Sequence, residues 1–342
     1  MSLYLGLKDQ LLKDILEGTY ANREVLPTEH ELCGKYGLSR VTVRKALEEL
    51  KKEGIIASVQ GQGTVVSHRK GGNLSSLDLI ALVAAVHNPF FASFMEHFEK
   101  AAEGNGSLVL FKQDFQGKAL QSDELFFRFL KKNIRNIVLW PQTEQIDYDL
   151  LKRLRLVGMN LVFFDQMLET EVGDVVCVDN HHAVFSLYNE MRSHHSEKII
   201  FIGFHGMALP SEILREQAFK EASCGDGGIY TIPWGQDVEQ ETELLMERLQ
   251  REHILPAGII CCNGPIGLAV AKYLRNKGIA DNPLSAIDFI PEMADYAMMV
   301  YQQPMKELAE KAYQRLVAQN NQGELWNARS YQLKGEVIRL GK

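Results

Sequence analysis

The sequence predicts an α/β protein in which an N-terminal winged helix-turn-helix precedes a two-lobed domain of doubly wound parallel sheets. Residues 26–66 contain two short helix patterns and then two strand patterns around a glycine-rich turn, in the order of a winged helix. From residue 79 onward, continuous apolar strands alternate with amphipathic helices, which is typical of parallel sheets covered on both faces. Because the nine strands of this pattern exceed what one compact sheet usually holds, we expect two lobes.

The helix-turn-helix is predicted from its caps and its turn. Thr28 and Glu31 have the spacing of a capping box at the start of the first helix. Gly37 supplies the tight turn between the helices, and Ser39 caps the second helix. A hairpin with the tip Gln60-Gly61-Gln62-Gly63 follows, and we interpret it as the wing.

Three segments of this region resemble the DNA-binding domain of the GntR family. They are Leu26-Pro27-Thr28-Glu29, Ser39-Arg40-Val41-Thr42-Val43-Arg44 and Gly61-Gln62-Gly63-Thr64, and the resemblance covers roughly Tyr4 to Ser67. It implies a transcription regulator that binds double-stranded operator DNA. The sequence departs from the family at Gln62, where many members carry a basic residue.

The predicted DNA contacts lie on the second helix and the wing. Arg40 and Arg44 are four residues apart on one helix face, and arginine can fork onto O6 and N7 of guanine. Hydroxyl groups and Lys45 suit phosphate contacts, and the wing glycines let the backbone approach a phosphate closely. An ordinary solvated helix face is the alternative interpretation. The predicted DNA-binding residues are Thr28, Ser39, Arg40, Thr42, Arg44, Lys45, Gln60, Gly61 and Gly63.

Length and charge place DNA binding in the first domain alone. The 342 residues suit two or three domains, and residues 1–70 carry a net charge of +2 while the remainder carries −9. The acidic remainder therefore cannot present an extended DNA surface. The five cysteines have no metal or disulfide spacing, and no apolar run reaches the ~20 residues of a membrane span. We therefore expect a cytoplasmic protein without a membrane partner.

The predicted domains are a winged helix at 1–67, a polar linker at 68–77 and a large domain at 78–342, and we expect the head to fold as a separate unit. One lobe is expected to combine approximately 78–180 with 303–325, and the other 181–302 with 326–342. The predicted strands are Leu79–Val86, Leu108–Phe111, Ile137–Trp140, Asn160–Phe164, Val175–Val178, Lys198–Phe204, Ile229–Ile232, Gly258–Cys261 and Ser285–Ile290.

The large domain resembles the effector domain of the LacI family, which has the fold of periplasmic binding proteins. The landmarks are Asn88-Pro89-Phe90-Phe91, Val178-Asp179-Asn180, Arg215-Glu216-Gln217-Ala218-Phe219 and Gln303-Pro304. A GntR-type head on such a body is the arrangement of the arabinose-repressor group. The resemblance implies a repressor that a small carbohydrate-like effector controls.

Ligands of doubly wound folds bind beyond the carboxyl ends of the strands. There, aromatic rings can stack on sugar C–H faces or fill the core, and a carboxylate can accept sugar hydroxyls. Arg215 also allows a sugar acid or a phosphate. LacI-like domains carry an Asp where this sequence has Ile290, which weakens the expectation of a simple sugar. The predicted ligand-binding residues are Phe90, Phe91, Trp140, Asp165, Arg215 and Asn263.

Other functions remain open from the sequence alone. The histidine pairs at 181–182 and 194–195 share no ligand spacing with a carboxylate, so we expect no metal. No hydrolase, phosphate-loop or zinc-protease motif occurs, so we expect no enzyme and no cofactor. The alternatives are a body that only dimerises and a solute-binding or enzymatic α/β protein. Because two-fold symmetric operators need symmetric dimers, we expect a homodimer assembled through residues 78–342.

Overall fold

The computed structural model describes residues 2–21, 24–66, 77–84, 89–114, 123–141, 146–166, 171–193, 198–206, 210–279, 282–322 and 326–341. Within these residues the chain forms a winged-helix head and two α/β lobes. The expected linker at 68–77 lies outside the described residues except for Leu77, as does the end of the strand predicted at Leu79–Val86. No described helix is both long and apolar enough to cross a lipid bilayer.

The head contains three helices and a two-stranded antiparallel wing. Its elements are α1 (Leu3–Leu16), α2 (Glu29–Tyr36), α3 (Arg40–Lys52), β1 (Ile56–Val59) and β2 (Gly63–Val66). The predicted capping box is confirmed, because the Glu31 backbone N–H donates to Thr28 Oγ1 and the Glu31 carboxylate accepts from the Thr28 N–H. Gly37, at φ 63°, makes the turn that leads into α3.

Lobe one is a six-stranded sheet with helices on both faces. Its elements are β3 (Leu79–Ala84), α4 (Pro89–Glu103), β4 (Leu108–Gln113), α5 (Glu124–Lys131), β5 (Asn136–Trp140), α6 (Tyr148–Leu156), β6 (Asn160–Phe164) and β7 (Asp174–Val178), joined near the end of the chain by α11 (Met305–Gln322) and β13 (Ser330–Leu333). The central strands β5, β6 and β7 are buried along their whole length, which explains their unbroken apolar sequences.

Lobe two repeats the same plan. Its elements are α7 (Asn180–Ser193), β8 (Ile199–His205), α8 (Pro210–Ala222), β9 (Gly228–Pro233), α9 (Val238–Arg251), β10 (Gly258–Cys261), α10 (Gly264–Lys277), β11 (Leu284–Ile287), a 3₁₀ turn at Pro291–Asp295, β12 (Met298–Gln302) and β14 (Glu336–Leu340). In both lobes the first strand lies between the second and the third, so the strand order reverses beside the first strand, next to the edge strands β4 and β9. Ligand clefts of doubly wound folds form beyond the carboxyl ends of the strands at such reversals.

The chain crosses between the lobes three times: after β7, after β12, and between β13 and β14. The third crossing lies later in the chain than the expected lobe boundary at residue 326. Residues 330–333 pair in parallel with β7 of lobe one rather than joining lobe two. Tyr301 forms hydrogen bonds with residues at the other two crossings. Its hydroxyl accepts from the Gly335 backbone N–H at 2.6 Å and pairs with Nδ1 of His182 at 2.9 Å.

Three strands, β12, β13 and β14, were missing from the nine predicted. β13 and β14 are short edge strands whose residues are at most half-buried, so their sequences mix polar and apolar residues instead of forming apolar runs. β14 is also the one strand that runs antiparallel in its sheet. Edge strands of this kind carry a weak sequence signal because only one neighbour and one face constrain them.

The head packs directly on lobe one. Helix α1 lies against α5 and α6, and the buried apolar side chains of the head and lobe one form one continuous cluster. At its border, Lys131 Nζ lies 2.6 Å from Asp9 Oδ2, and Arg135 Nη2 lies 3.4 Å from Glu53 Oε2. Helix α1 therefore has a second apolar contact, on lobe one, of which the polar linker gave no sign, and the head is docked on the body.

We predict that Gly335→Ala will destabilise the protein. A Cβ at Gly335 would lie 2.1 Å from the Gln302 carbonyl oxygen, so the third crossing must move to accommodate it. The expected cost is ~1–3 kcal/mol, which lowers Tm by roughly 2–4 °C per kcal/mol in a protein of this kind. Gly6→Ala is the control, because no atom lies within 4 Å of a Cβ there and alanine favours the helix. Scanning calorimetry that gives equal Tm values for the two variants contradicts the prediction.

Candidate DNA-binding surface and effector cleft

The N-terminal half of α3 presents two arginines to solvent. The side chains of Arg40 and Arg44 are 75% and 57% exposed, and both approach the carboxylate of Glu29 at 3.2 Å. The hydrogen bond from Arg44 is the largest effect that lowers the pKa of Glu29. Glu29 thus holds both guanidinium groups side by side on the exposed face of the head. In this position they can contact base edges when α3 lies in the major groove of DNA.

The other predicted DNA residues surround this pair, but several have structural partners. Ser39 Oγ lies 2.8 Å from Thr42 Oγ1 and caps α3, and the hydroxyl of Thr28 belongs to the capping box. The ammonium of Lys45 lies 4.1 Å above the ring of Tyr4. Val41 is 78% exposed beside Arg40, and an apolar side chain there can contact a thymine methyl group.

The wing tip is exposed, as the sequence suggested. Gln60, Gly61 and Gly63 are all solvent-accessible, and the glycines have φ values of 80° and 103°. These left-handed conformations strain any residue with a Cβ. The tip therefore offers backbone N–H groups and the Gln60 amide, and no cation.

Charged residues from both lobes gather in the cleft between the sheets. Asp165 follows β6 of lobe one, Asp288 follows β11 of lobe two, and Arg215 and Glu212 lie one turn apart on α8. Arg215 interacts electrostatically with all three carboxyls, and Asp165 interacts with Asp288 and Glu212 across the cleft. The structure thus brings Asp165 and Arg215 together, although they are 50 residues apart in sequence.

Arg215 is a buried cation with fixed partners. It is 4% exposed and lies in the second turn of α8. Its Nε donates to Asn180 Oδ1 at 2.7 Å, and its Nη1 donates to the Cys262 carbonyl at 2.7 Å. Asn180 begins α7 just after the first crossing, so Arg215 connects α8, the crossing and the end of β10.

Burial and like charges raise the pKa values of the two strand-end carboxyls. Burial raises the pKa of Asp165 to about 7, and the repulsion from Asp288 adds to it, while the attraction of Arg215 opposes it. Burial also raises the pKa of Asp288, against Arg215 and the hydrogen bond from Gln303. For Arg215, burial lowers the pKa, but the surrounding carboxylates outweigh it and the net change is upward. By accessible surface, both carboxyls are half-buried rather than fully enclosed.

Aromatic side chains form one wall beside these charges. Trp140 donates a hydrogen bond to Asp165, and the half-buried ring of Phe90 lies 5.6 Å from the Trp140 ring and 5.8 Å from the Phe164 ring. Phe91, predicted as a ligand contact, is fully buried and stacks on Trp140 at 4.9 Å. It therefore supports the wall from behind, because successive residues of a helix face different directions.

Asn263 has a structural role at the start of α10. Its Oδ1 accepts from the Ile266 backbone N–H at 3.1 Å, and its Nδ2 contacts Glu212 Oε1 at 3.4 Å. The amide therefore caps a helix and orients Glu212 toward Arg215. Ile290 and Gly264, where the LacI pattern has Asp, also lie together here, because a Cβ at Gly264 would lie 2.8 Å from the side chain of Ile290.

Three residues of the cluster were absent from the predicted site: Glu212, Asp288 and Gln303. Glu212 precedes Arg215 by three residues, the spacing of neighbours on one helix face. Asp288 adopts φ 79°, so its carboxylate leaves the strand in a direction that strand periodicity does not predict. Gln303 lies at the second crossing, where it donates from Nε2 to Asp288 Oδ1.

Comparisons with known proteins agree with this architecture. Residues 3–66 match the family described as bacterial regulatory proteins, gntR family, and residues 188–339 match the periplasmic binding protein-like domain. The chain is 22% identical to the arabinose metabolism transcriptional repressor of Geobacillus stearothermophilus, over 98% of this chain and 94% of that protein. Its head alone is 42% identical to the probable fructoselysine utilization operon transcriptional repressor of Escherichia coli K12, over 21% of this chain and 29% of that one.

Solved structures share the fold of the body. The Cra regulator of Pseudomonas putida in complex with fructose 1-phosphate has a TM-score of 0.64 at 16% identity, over 78% of this chain and 100% of that one. The regulator CelR in complex with cellobiose has a TM-score of 0.64 at 15% identity, over 92% of this chain and 99% of that one. The protein is a modular transcription regulator. Its head matches the gntR family of regulatory proteins, and its body matches the periplasmic binding protein-like domain.

We predict that Arg40→Ala and Arg44→Ala will each weaken binding to a duplex selected from a random pool by roughly fivefold to a hundredfold, and will broaden the selected sequence. Lys45→Ala should weaken binding to all duplexes alike and lower the salt dependence. Lys52→Ala is the control, because Lys52 lies at the opposite end of α3 from the residues expected to enter the groove. Fluorescence anisotropy that gives both arginine variants wild-type affinity contradicts the assignment of α3.

We predict that Asp165→Asn will flatten the pH dependence of stability. With its pKa raised to about 7, folded Asp165 keeps a proton that the unfolded chain loses near pH 4. Its contribution to stability therefore falls as the pH rises from about 4 to about 7. Asparagine cannot ionise and tolerates the φ of 54° at this position. The loss of Tm between about pH 5 and pH 7.5 should be smaller in the variant, and an equal loss in both proteins contradicts the argument.

Proposed function

We propose that this protein represses transcription by binding double-stranded operator DNA, and that a small carbohydrate-like effector in the cleft controls the binding. The observation that carries the proposal is the cluster of Asp165, Arg215, Asp288 and Glu212 between the lobes, beside the aromatic wall of Phe90 and Trp140. Carboxylates accept hydroxyl hydrogen bonds and aromatic faces pack on C–H groups, which is the chemistry of a polyhydroxylated ligand.

The relatives support a sugar derivative as the effector. Two similar repressors are named for arabinose metabolism and fructoselysine utilization. Two structurally similar regulators were solved in complex with fructose 1-phosphate and cellobiose. The cleft of this chain differs in Ile290 and Gly264, which leave apolar surface where LacI-like domains carry acidic side chains. The body therefore binds its ligand through the carboxyls at 165 and 288 and through Glu212.

The packing of the head provides a route from the cleft to the DNA. Binding in a two-lobed cleft closes one lobe on the other about the crossings. Because α1 packs on α5 and α6 of lobe one, a rotation of lobe one carries the head with it. In a homodimer this rotation changes the separation of the two recognition helices, which must match half-sites about one helical turn of DNA apart.

We further propose that the protein acts as a homodimer in the cytoplasm. One winged helix offers too small a contact for operator affinity, and a symmetric operator needs two heads related by a two-fold axis. Sedimentation of the full chain at micromolar concentration tests this assembly. A strict monomer, both alone and with the selected duplex, contradicts it.

We predict that an effector will release the protein from its selected duplex and that Asp165→Asn will abolish the release. The test titrates arabinose, cellobiose, fructose and their amino and phosphate derivatives into the protein–DNA complex and follows anisotropy. Asp165→Asn should keep wild-type operator affinity, since the head surface is unchanged, but should fail to respond. Asp295→Asn, an exposed carboxyl outside the cleft, is the control.

The outcomes of this titration separate the proposal from its alternatives. Operator binding with neither release nor a rise of Tm for any compound favours a body that only dimerises. Failure of the full chain to select any duplex sequence contradicts the regulator itself. Release that persists in Asp165→Asn rejects the assigned cleft, whereas release in wild type alone supports it.

A further inference from the structure

The cleft has a surplus of hydrogen-bond acceptors and negative charge. Asp165, Asp288 and Glu212 surround Arg215, so three carboxyls face one guanidinium, a formal charge of −2 when all are ionised. Among the described residues, Arg215 is the only cation whose charge acts on Asp165 and Asp288. At full ionisation the cluster therefore lacks two positive charges, which protons on the carboxyls or a cationic ligand can supply.

Arg215 has little capacity left for an anionic ligand. Its Nε and Nη1 are committed to Asn180 and the Cys262 carbonyl, at 2.7 Å each, and the side chain is 4% exposed. Its charge is already shared among three carboxyls from two lobes. A phosphate or carboxylate entering the cleft would compete with those carboxyls for a cation that the protein has enclosed.

A second observation points to a ligand that donates hydrogen bonds. The amide of Gln303 is 5% exposed, and its Nε2 donates to Asp288. Its Oε1 is buried and has no partner among the described residues. A buried acceptor without a donor costs free energy, so this position beside Asp288 is suited to a hydroxyl or an ammonium group and is unfavourable for an anion.

We propose that the effector is a hydroxyl-rich molecule that carries a protonated amine, and that the cleft rejects phosphorylated and carboxylated sugars. The ammonium would lie at the acidic end of the cleft, near Asp288, Glu212 and the Gln303 carbonyl, with the sugar ring toward Phe90 and Trp140. This inference rests on the proposed function and narrows its ligand class. The physical reason is that cleft closure excludes water, so a surplus of like charge becomes more costly and an added cation offsets it.

The test uses the full chain and three matched series: glucosamine, glucose and glucuronate; galactosamine, galactose and galacturonate; mannosamine, mannose and mannose 6-phosphate. Thermal shift identifies binders, and calorimetric titration gives Kd. In the series that binds, the amine should bind at least about tenfold more tightly than the neutral sugar, and the acid or phosphate should give no shift. A neutral or anionic member that binds best overturns the proposal.

Charge-removing variants test the mechanism of the preference. Asp288→Asn keeps an acceptor for Gln303 and tolerates φ 79°, and Glu212→Gln keeps an acceptor for Asn263. Each should reduce the amine-to-neutral affinity ratio severalfold, an effect that a purely structural loss would not produce. Glu292→Gln, an exposed carboxyl on the 3₁₀ turn, should leave the ratio unchanged. An unchanged ratio in both cleft variants overturns the proposal.

Two different results distinguish failure of the amine preference from failure of the proposed carbohydrate effector. If none of the nine compounds binds, and arabinose, cellobiose, fructose and their derivatives give no shift either, while the protein still selects a duplex, the carbohydrate effector of the proposed function fails and this inference fails with it. If neutral sugars bind and release the DNA but amines bind no better, the proposed function stands and only the amine preference is rejected.

Discussion

The enclosed guanidinium of Arg215 is the interaction on which the architecture of the body depends. It connects α8 to the first crossing through Asn180, to the end of β10 through the Cys262 carbonyl, and to the opposing lobe through its attraction to Asp165. A buried cation of this kind is tolerated only because it is surrounded by acceptors and opposite charges. The position of each lobe relative to the other is therefore sensitive to the charge that the cleft contains.

The surrounding carboxyls explain how the cleft can respond to a ligand. With its pKa raised to about 7, Asp165 is divided between charged and neutral forms near neutral pH. Under the proposed function, a ligand that supplies hydrogen-bond donors would favour the charged form of Asp165. The Tyr301 hydroxyl bonds both to the Gly335 N–H and to His182, so it links the crossings at which the chain passes between the lobes.

The fold was largely predictable from sequence, whereas the site was predictable only in part. The capping box, the turn at Gly37 and the buried strands of both sheets leave strong local patterns, because caps and apolar runs are determined by near neighbours. The edge strands β13 and β14 carried no such pattern. In the cleft, Asp165 and Arg215 were found because strand ends and a family motif mark them. Asp288 and Gln303 were missed because their roles depend on a left-handed backbone and on a contact between distant crossings.

The packing of α1 on lobe one has a consequence for how such regulators can be recombined. A head that made no packing contact with the body could be exchanged between proteins by joining the sequences at the linker. Here, Asp9 and the apolar face of α1 are matched to Lys131 and to the surfaces of α5 and α6. A transplanted head would bring its own α1. If the surface of that helix did not fit the new lobe, the head would be joined to the body only through the linker, and movements of the lobe would no longer be transmitted to it. The sequences of α1 and α5 should therefore be inherited together, as a matched pair that identifies which heads and bodies can work in one chain.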